Sequence, residues 1–93
     1  MVIGLLTVDL HLPGARSLKD KRQVLRSIES RVRGRFNVSI AEVEYQDLWQ
    51  RARLAVVSVN TDAERLEATL RSVLGEAEHA RDAQVTDSQV ELL

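Results

Sequence analysis

The chain has 93 residues, no cysteine and a formal net charge of −1, and this length fits one domain spanning residues 1–93. The absence of cysteine excludes disulfide frameworks, thiolate metal sites and cysteine nucleophiles. Charge is unevenly placed, because residues 16–35 hold eight basic and two acidic side chains whereas the rest of the chain carries a net −7. A basic segment in an otherwise acidic protein is typical of nucleic-acid binding.

The first two predicted elements are a strand and a helix. Val2–Leu12 is predicted to be a strand, because apolar and polar side chains alternate from Leu6 to Leu12 in the period-two pattern of a half-buried strand, which the following Pro-Gly pair ends. Ser17 and Asp20 form a pattern similar to a capping box and predict a helix start. We expect this helix to run to about Arg33, with Gly34 as its stop.

The middle of the chain predicts a hairpin of two strands. Phe36–Tyr45 is the first of them, and its apolar positions change parity near Ala41 and Glu42, which indicates a β-bulge. The connection Gln46–Gln50 leads to the second strand, Arg51–Val59. That strand contains an apolar run on both parities, as expected for a central strand with both faces covered.

The last third of the chain predicts a second helix and a final strand. Thr61 with Glu64, or Asp62 alone, caps the helix, whose apolar positions recur every three or four residues until about position 77–79. Gln84–Leu93 is the final strand.

The element order β-α-β-β-α-β is that of the split βαβ arrangement. Right-handed crossovers then place both helices on one face of the sheet. The sequence therefore predicts an α+β ferredoxin-like sandwich with an antiparallel sheet of order 4-1-3-2. We also expect strands 1 and 3 to lie in the middle as a parallel pair.

No apolar run in the chain approaches the roughly 20 residues that a membrane span requires. The first six residues, Met1–Leu6, lack the basic segment of a signal peptide. We therefore expect a cytoplasmic protein without a membrane partner.

The first helix carries a narrow basic stripe on its solvent side. At about 100° per residue, five basic side chains lie on or beside this face: Arg16, Lys19, Arg22, Arg26 and Arg33. A solvated helix face with paired arginines accounts for the stripe about as well as a surface that follows an RNA backbone does. Both interpretations stay open on the sequence alone.

Lys21 falls near the centre of the apolar arc of the same helix. A lysine there must extend past the sheet edge or meet a carboxylate. The candidate partners are Asp9, Glu42 and Glu44, and a structural ion pair is favoured over a role in ligand binding.

The sequence contains no catalytic, cofactor or metal constellation. His11 and His79 lie on different elements, and no serine or threonine has an evident base partner. The turn Pro13–Ser17, with Lys19, offers a weak anion site, because helix N-termini favour negative charge. We expect a protein that is not an enzyme and holds no cofactor and no metal.

The sheet face away from the helices gives two signals. It lacks the aromatic side chains that an RNA-recognition motif carries on its central strands, which argues against base stacking there. Its apolar members, Ile3 and Leu5 together with strand 3, suggest a covered face and most simply a homodimer interface.

The connection between the two middle strands carries two of the three aromatic residues, Tyr45 and Trp49, on either side of Asp47 and Leu48. Either this tip folds back onto the body of the protein or it binds a partner, and the sequence supports both equally. Tyr45, Asp47 and Trp49 are therefore interaction candidates.

Several blocks of the chain resemble one known family. Ser17–Arg22 is similar to the Ser-Leu-Lys-x-Lys-Arg signature of the YlxP-like bacterial proteins, and Phe36–Val43 with Tyr45–Ala52 is similar to their second block. The start at Met1–Gly4 and the closing Val90–Leu92 also fit. The resemblance implies a ferredoxin-like fold and no established activity. Members are often encoded beside translation-initiation and ribosome-maturation genes, which implies a ribosome-associated role.

Three hypotheses about function follow. The first is a small accessory factor that binds RNA or a ribosomal particle through the basic face of the first helix. The alternative is a dimeric regulatory module that binds a small anionic ligand at the start of that helix, between Arg16 and Lys19. A hydrolase similar to acylphosphatase ranks last, because the first loop lacks a glycine-rich, arginine-containing phosphate cradle.

Overall fold

The computed structural model describes residues 1–93 as six elements. In chain order they are β1 Val2–His11, α1 Leu18–Arg35, β2 Ser39–Glu44, β3 Arg51–Asn60, α2 Ala63–Glu78 and β4 Gln84–Leu92. This is the predicted β-α-β-β-α-β order. Both helices pack on the same face of the sheet, with α2 across β1, β3 and β4 and α1 beside α2 and over β2.

The strands form one antiparallel sheet in the order β2-β3-β1-β4. This confirms the ferredoxin-like prediction and its order 4-1-3-2, counted from the opposite edge. The prediction that β1 and β3 run parallel is wrong, because their register is antiparallel, with Val8 opposite Leu54. Each strand-helix-strand unit brings its second strand back parallel to the first, but another strand inserts between them. All hydrogen-bonded neighbours are therefore antiparallel.

The core lies between the sheet and the two helices. Each central strand contributes every second residue to it. The buried strand residues include Leu6, Val8, Leu10, Leu54 and Val56. The helices contribute the stripes predicted by their periodicity, namely Leu25, Ile28 and Val32 from α1 and Leu66, Leu70 and Val73 from α2. Burial of each large apolar side chain contributes about 1.5–3 kcal/mol, so this layer supplies most of the folding free energy.

Helix α2 crosses β1 at Gly4, and the two elements lie unusually close there. A Cβ on Gly4 would lie 2.8 Å from Cδ1 of Leu70 and 3.0 Å from Cδ2 of Leu66. The missing side chain is what allows this approach. Of the two predicted caps the structure has Asp62, whose carboxylate accepts from the backbone N–H of Glu64.

Helix α1 extends two residues beyond its predicted end. Gly34 is helical rather than a stop, and no glycine of the chain has a positive φ. Phe36 is the C-cap, in extended conformation, and its N–H donates to the carbonyl of Val32. The last turn is held instead by Arg31 and Arg35, which both pair with Glu76 of α2. The tertiary contact thus overrides the local stop signal.

Strand β2 begins three residues later than predicted, at Ser39. Before it, the N–H of Val38 donates to the carbonyl of Phe36, so this stretch turns instead of joining the ladder. The predicted bulge is present, but it lies between Glu42 and Glu44, slightly beyond the predicted position. Glu42 has the same parity as the buried Ile40 and faces the helices, and the bulge that follows it places Glu44 opposite Arg53 on the other face.

Neither helix combines the length and the hydrophobicity that crossing a bilayer requires.

Candidate nucleic-acid interface

The basic stripe of α1 lies on the solvent side of the helix, as predicted from a rotation of about 100° per residue. All five members are exposed. The charged side-chain nitrogens of Arg16, Lys19, Arg22 and Arg26 form no ion pair, since no carboxylate oxygen lies within 4.0 Å of them. Three of these four occupy the first half of α1, and Arg16 directly precedes its cap, so together they form one continuous set of free cations.

Ion pairing elsewhere in the chain makes this set distinctive. Of the 13 lysines and arginines, seven pair with a carboxylate. Four of the other six belong to the α1 set, and the remaining two are Arg51 and Arg81. The stripe is therefore the one place on this chain where unpaired cations accumulate.

Arg33 differs from the other members of the stripe. Its guanidinium lies 3.4 Å from Glu29 and also donates to the carbonyl of Ile40 at 3.0 Å. These two contacts tie the end of α1 to β2. Arg33 thus stabilises the contact between α1 and β2, and four cations of the stripe rather than five remain available to a ligand.

The start of α1 is already closed by its own side chains. The hydroxyl of Ser17 accepts from the N–H of Asp20 at 3.0 Å, and the carboxylate of Asp20 accepts from the N–H of Arg16 at 2.9 Å. The acid thus reaches the residue before the cap, one position earlier than in a standard capping box. Because a carboxylate already occupies the positive end of the helix dipole, the geometry gives the anion-module alternative no support.

Lys21 lies inside the protein, 1% exposed, as the largest of the fully buried side chains. Its ammonium nitrogen lies 2.6 Å from Oε2 of Glu42, one of the three predicted partners, and donates to the carbonyl of Tyr45 at 2.7 Å. The contact between Lys21 and Glu42 is an ion pair by distance, but its geometry is not that of a hydrogen bond. Oε2 of Glu42 is buried and accepts no hydrogen bond from any other group. Lys21 therefore anchors the end of β2 to α1.

Tyr45 is held in a rare backbone conformation where β2 ends. Its φ is 65°, the only positive value at a non-glycine residue, which carries a strain of order 1 kcal/mol or more. Its carbonyl accepts from Lys21 Nζ and from the N–H of Leu48. On its other side the ring lies under the guanidinium of Arg51, 3.9 Å from its centroid, and within 5.3 Å of Arg53. The strained residue is thus fixed at both its carbonyl and its ring.

The loop after Tyr45 projects away from the core. Leu48 is 48% exposed and Trp49 is 52% exposed, so the tip does not fold back onto the body. The side-chain amide of Gln50 donates to the carbonyls of Pro13 and Ala15, at 3.3 and 3.1 Å. This bridge holds the loop against the turn that leads into α1.

An open cleft of about 540 Å³ lies at this end of the molecule. Its lining consists of His11, Asp47, Leu48, Trp49, Gln50 and Arg51. His11 is positioned by its Nδ1, 3.1 Å from the carbonyl of Gln50. No group of three or more His, Asp or Glu side chains is arranged to hold a metal ion.

The open face of the sheet is charged at the same end. Nε and Nη2 of Arg53 donate to the two oxygens of Asp9, at 2.6 and 3.1 Å. The hydrogen bond from Arg53 is the main reason that the pKa of Asp9 lies below its ordinary value of 3.8, and partial desolvation opposes it. The same pair raises the pKa of Arg53. Asp87 of β4 is the register partner of Asp9 on the neighbouring strand.

The other end of the open face is apolar. Ile3 lies opposite Val59, and Leu5 lies opposite Val57. Val57 and Val59 are exposed, and Ile3 and Leu5 are only half-buried. The expectation that both faces of β3 are covered thus does not hold within one chain, because both helices lie on the other side.

Three residues around the cleft were not singled out as candidates by sequence: Arg51, Gln50 and Leu48. Arg51 was assigned only as the first residue of a strand, and Gln50 is an ordinary loop residue in sequence. Their roles depend on a turn whose conformation no local pattern predicts. The clustering of Leu48 with Trp49 was the one available signal, since two large apolar residues in a short loop need a partner.

Comparison with known proteins identifies relatives along nearly the whole chain. Residues 3–90 match the family described as "Protein of unknown function (DUF503)". The uncharacterized protein YlxP of Bacillus subtilis (strain 168) is 41% identical over 73 residues, which cover 78% of this chain and 79% of that protein.

Two solved structures share the fold at low sequence identity. SnoaB, a cofactor-independent oxygenase from Streptomyces nogalater, is 13% identical with a TM-score of 0.54, over 99% of this chain and 90% of its own. A C-terminal segment of the alpha subunit of aIF2 from Pyrococcus abyssi is 15% identical with a TM-score of 0.51, over 100% of this chain and 49% of its own. These likenesses concern the fold alone, whereas the family match and the identity to YlxP confirm the resemblance read from the sequence: the chain belongs to the DUF503 family of proteins of unknown function.

Proposed function

We propose that this protein is an RNA- or ribosome-associated accessory factor that binds an RNA backbone through the outer face of α1. The observation that carries the proposal is the set of four free cations, Arg16, Lys19, Arg22 and Arg26. They are exposed, share one surface and lack ion-pair partners.

Unpaired cations on one surface suit a polyanion for a physical reason. A cation that pairs with a carboxylate must give up that partner before it binds a phosphate, whereas a free cation loses only counterions and water. Because the whole chain has a net charge of −1, long-range attraction does not help, and binding has to come from this local surface. The ligand therefore contacts α1 directly.

Salt dependence gives the first measurement. Four phosphate contacts on single-stranded RNA contribute about −0.7 each to the slope of log affinity against log salt, or about −3 in total. Affinity should therefore fall about 50-fold between roughly 50 and roughly 200 mM salt. Fluorescence anisotropy of a labelled RNA oligonucleotide measures this slope, and co-sedimentation with ribosomal subunits at low and high salt tests the larger ligand.

A pair of matched variants tests the surface itself. Arg22→Glu with Arg26→Glu should abolish RNA binding. The control is Arg65→Glu with Arg71→Glu on α2, which makes the same change in net charge at exposed arginines that already pair with Asp62 and Glu67. The control should bind RNA within about threefold of the native chain. Equal losses in both variants, or no loss in the first, would contradict the α1 surface.

A further inference from the structure

We infer that Trp49 is a stacking platform for one unpaired base, so that the ligand of the α1 surface is single-stranded RNA rather than a duplex. This inference rests on the proposed function and adds a second contact to it. The contact is formed by the loop Tyr45–Gln50, which ends beside the start of α1.

The short loop Tyr45–Gln50 exposes two large apolar side chains. Trp49 is 52% exposed beside the open cleft, and Leu48 next to it is 48% exposed. The aromatic face of an exposed indole is the surface on which single-stranded nucleic acids stack their bases, irrespective of sequence. Such exposure is unfavourable in water unless a ligand covers it.

Hydrogen bonds within the protein hold the loop in place before any ligand arrives. Lys21 and the N–H of Leu48 fix the carbonyl of Tyr45, and Gln50 fixes the far side of the loop to Pro13 and Ala15. A loop anchored at both ends loses little conformational entropy on binding. The strained φ of Tyr45 is maintained by these contacts, as is common where a structure presents a binding loop.

The cleft also contains charged side chains that can contact a nucleic acid. Arg51 shares the cleft with Trp49 and has no carboxylate partner, so its guanidinium can meet a phosphate. Asp47 lies in the same cleft and repels phosphate, but its oxygens can accept from the N–H groups of a base edge. The cleft thus favours a base beside Trp49 with the backbone passing outside it.

The loop is hydrogen-bonded to the residue that precedes the basic stripe. Gln50 binds the carbonyl of Ala15, and Arg16 is the next residue along the chain. One strand can therefore run from the cleft onto Arg16 and Lys19 without leaving the protein. A duplex keeps its bases stacked inside and cannot offer one to Trp49.

Trp49 is the only tryptophan, so its fluorescence reports on the contact directly. Titration with single-stranded RNA should quench this fluorescence, and a duplex of equal length should bind more weakly and leave it unchanged. Trp49→Ala should lower affinity for the single strand about 5- to 150-fold, since one stacked base contributes about 1–3 kcal/mol. Trp49→Phe should retain a substantial part of the affinity.

The salt slope separates stacking from a loss of charge contacts. Trp49→Ala removes no cation, so its slope should stay at about −3, whereas Arg26→Ala removes one phosphate contact and should reduce the slope by about 0.7. Thermal unfolding by circular dichroism should show Trp49→Ala folded as the native chain is. Native-like RNA affinity in Trp49→Ala, or equal binding of duplex and single strand, overturns the stacking inference while the α1 surface stands. A native chain that binds no RNA overturns both.

Discussion

Two neighbouring residues of α1, Lys21 and Arg22, have opposite surroundings. Lys21 is 1% exposed and contacts Glu42 and the carbonyl of Tyr45 inside the protein. Arg22 is exposed and has no carboxylate partner. One residue step rotates the side chain by about 100°, which moves it from the sheet to the solvent. The angle on the helix, and not the type of residue, therefore separates structural cations from those available to a ligand.

The two sides of α1 also differ in what a charge does there. On the inner side the ammonium of Lys21 is desolvated, so it needs its partners to remain buried. On the outer side each cation is hydrated and contributes little to folding. Inner substitutions should thus change stability, and outer substitutions should change binding.

The largest effect is expected from Lys21→Ala. Removing this side chain leaves a cavity and leaves the carboxylate of Glu42 partly buried without a partner. The unfolding free energy should therefore fall by about 3–5 kcal/mol. Arg22→Ala is the matched control on the next residue and should change stability by less than about 0.5 kcal/mol. Urea unfolding followed by circular dichroism measures both. Similar losses in the two variants would break the distinction between the two sides.

A smaller effect should isolate the charge of Lys21 from its packing. Lys21→Met keeps most of the buried volume but leaves Glu42 unpaired, and should lose about 1–3 kcal/mol. Adding Glu42→Leu removes the unpaired acid and should recover most of that loss, because an apolar pair often replaces a buried ion pair without penalty. The same urea experiment reports the coupling. If the double variant is no more stable than Lys21→Met, the pair is not the important contact.

Arg33 and Arg26 should differ in their effects on stability and on RNA binding, although both belong to the basic stripe. Arg33→Ala breaks the contacts with Glu29 and Ile40 and should lose about 0.5–1.5 kcal/mol of stability while RNA affinity changes little. Arg26→Ala should do the reverse, with native stability and a salt slope reduced by about 0.7. A reduced slope in Arg33→Ala would instead return Arg33 to the binding surface.

The ion pair of Asp9 with Arg53 is less buried than Lys21 and less exposed than the outer cations of α1. It should make a modest, pH-dependent contribution to the free energy of unfolding. The pKa of Asp9 is lowered in the folded protein, so the pair stabilises the fold above the ordinary value near 3.8. This stabilisation should disappear as the pH falls through the lowered folded value. Asp9→Asn should be less stable than the native chain at neutral pH, and the difference should shrink in acid. Urea unfolding at several pH values measures it; a constant difference would show that the charge of Asp9 is not responsible.

The weakest expected effect concerns the apolar end of the open face. We propose that Ile3, Leu5, Val57 and Val59 meet the same residues of a second copy, because one apolar patch is self-complementary across a two-fold axis. Sedimentation should then show dimers at tens of micromolar, about the concentration for a weak interface. Val59→Asp should shift the chain to monomer without loss of fold, since Val59 is 56% exposed. A native chain that stays monomeric at that concentration would contradict the dimer.

Local patterns were sufficient for the order of elements, the fold class and the outer position of the α1 stripe. Each depends on hydrophobic periodicity, which a single segment carries within itself. The capping residues Ser17 and Asp62 were visible for the same reason, because a cap bonds to groups three residues away at most. The placement of Lys21 in the core also followed from its angle on the helix.

The remaining features depended on which segments meet in space. Three acids were candidate partners of Lys21 in the sequence. Glu42 is the partner in the structure, because the β2 bulge after it places Glu44 on the other face of the sheet. Gly34 carried a stop signal that ion pairs between α1 and α2 overrode. The hydrogen bond from Arg33 to Ile40 joins α1 to β2, and the bond from Gln50 to Ala15 joins two loops distant in the chain. Periodicity fixes which way a side chain points, whereas only the packing of elements against each other determines what it meets.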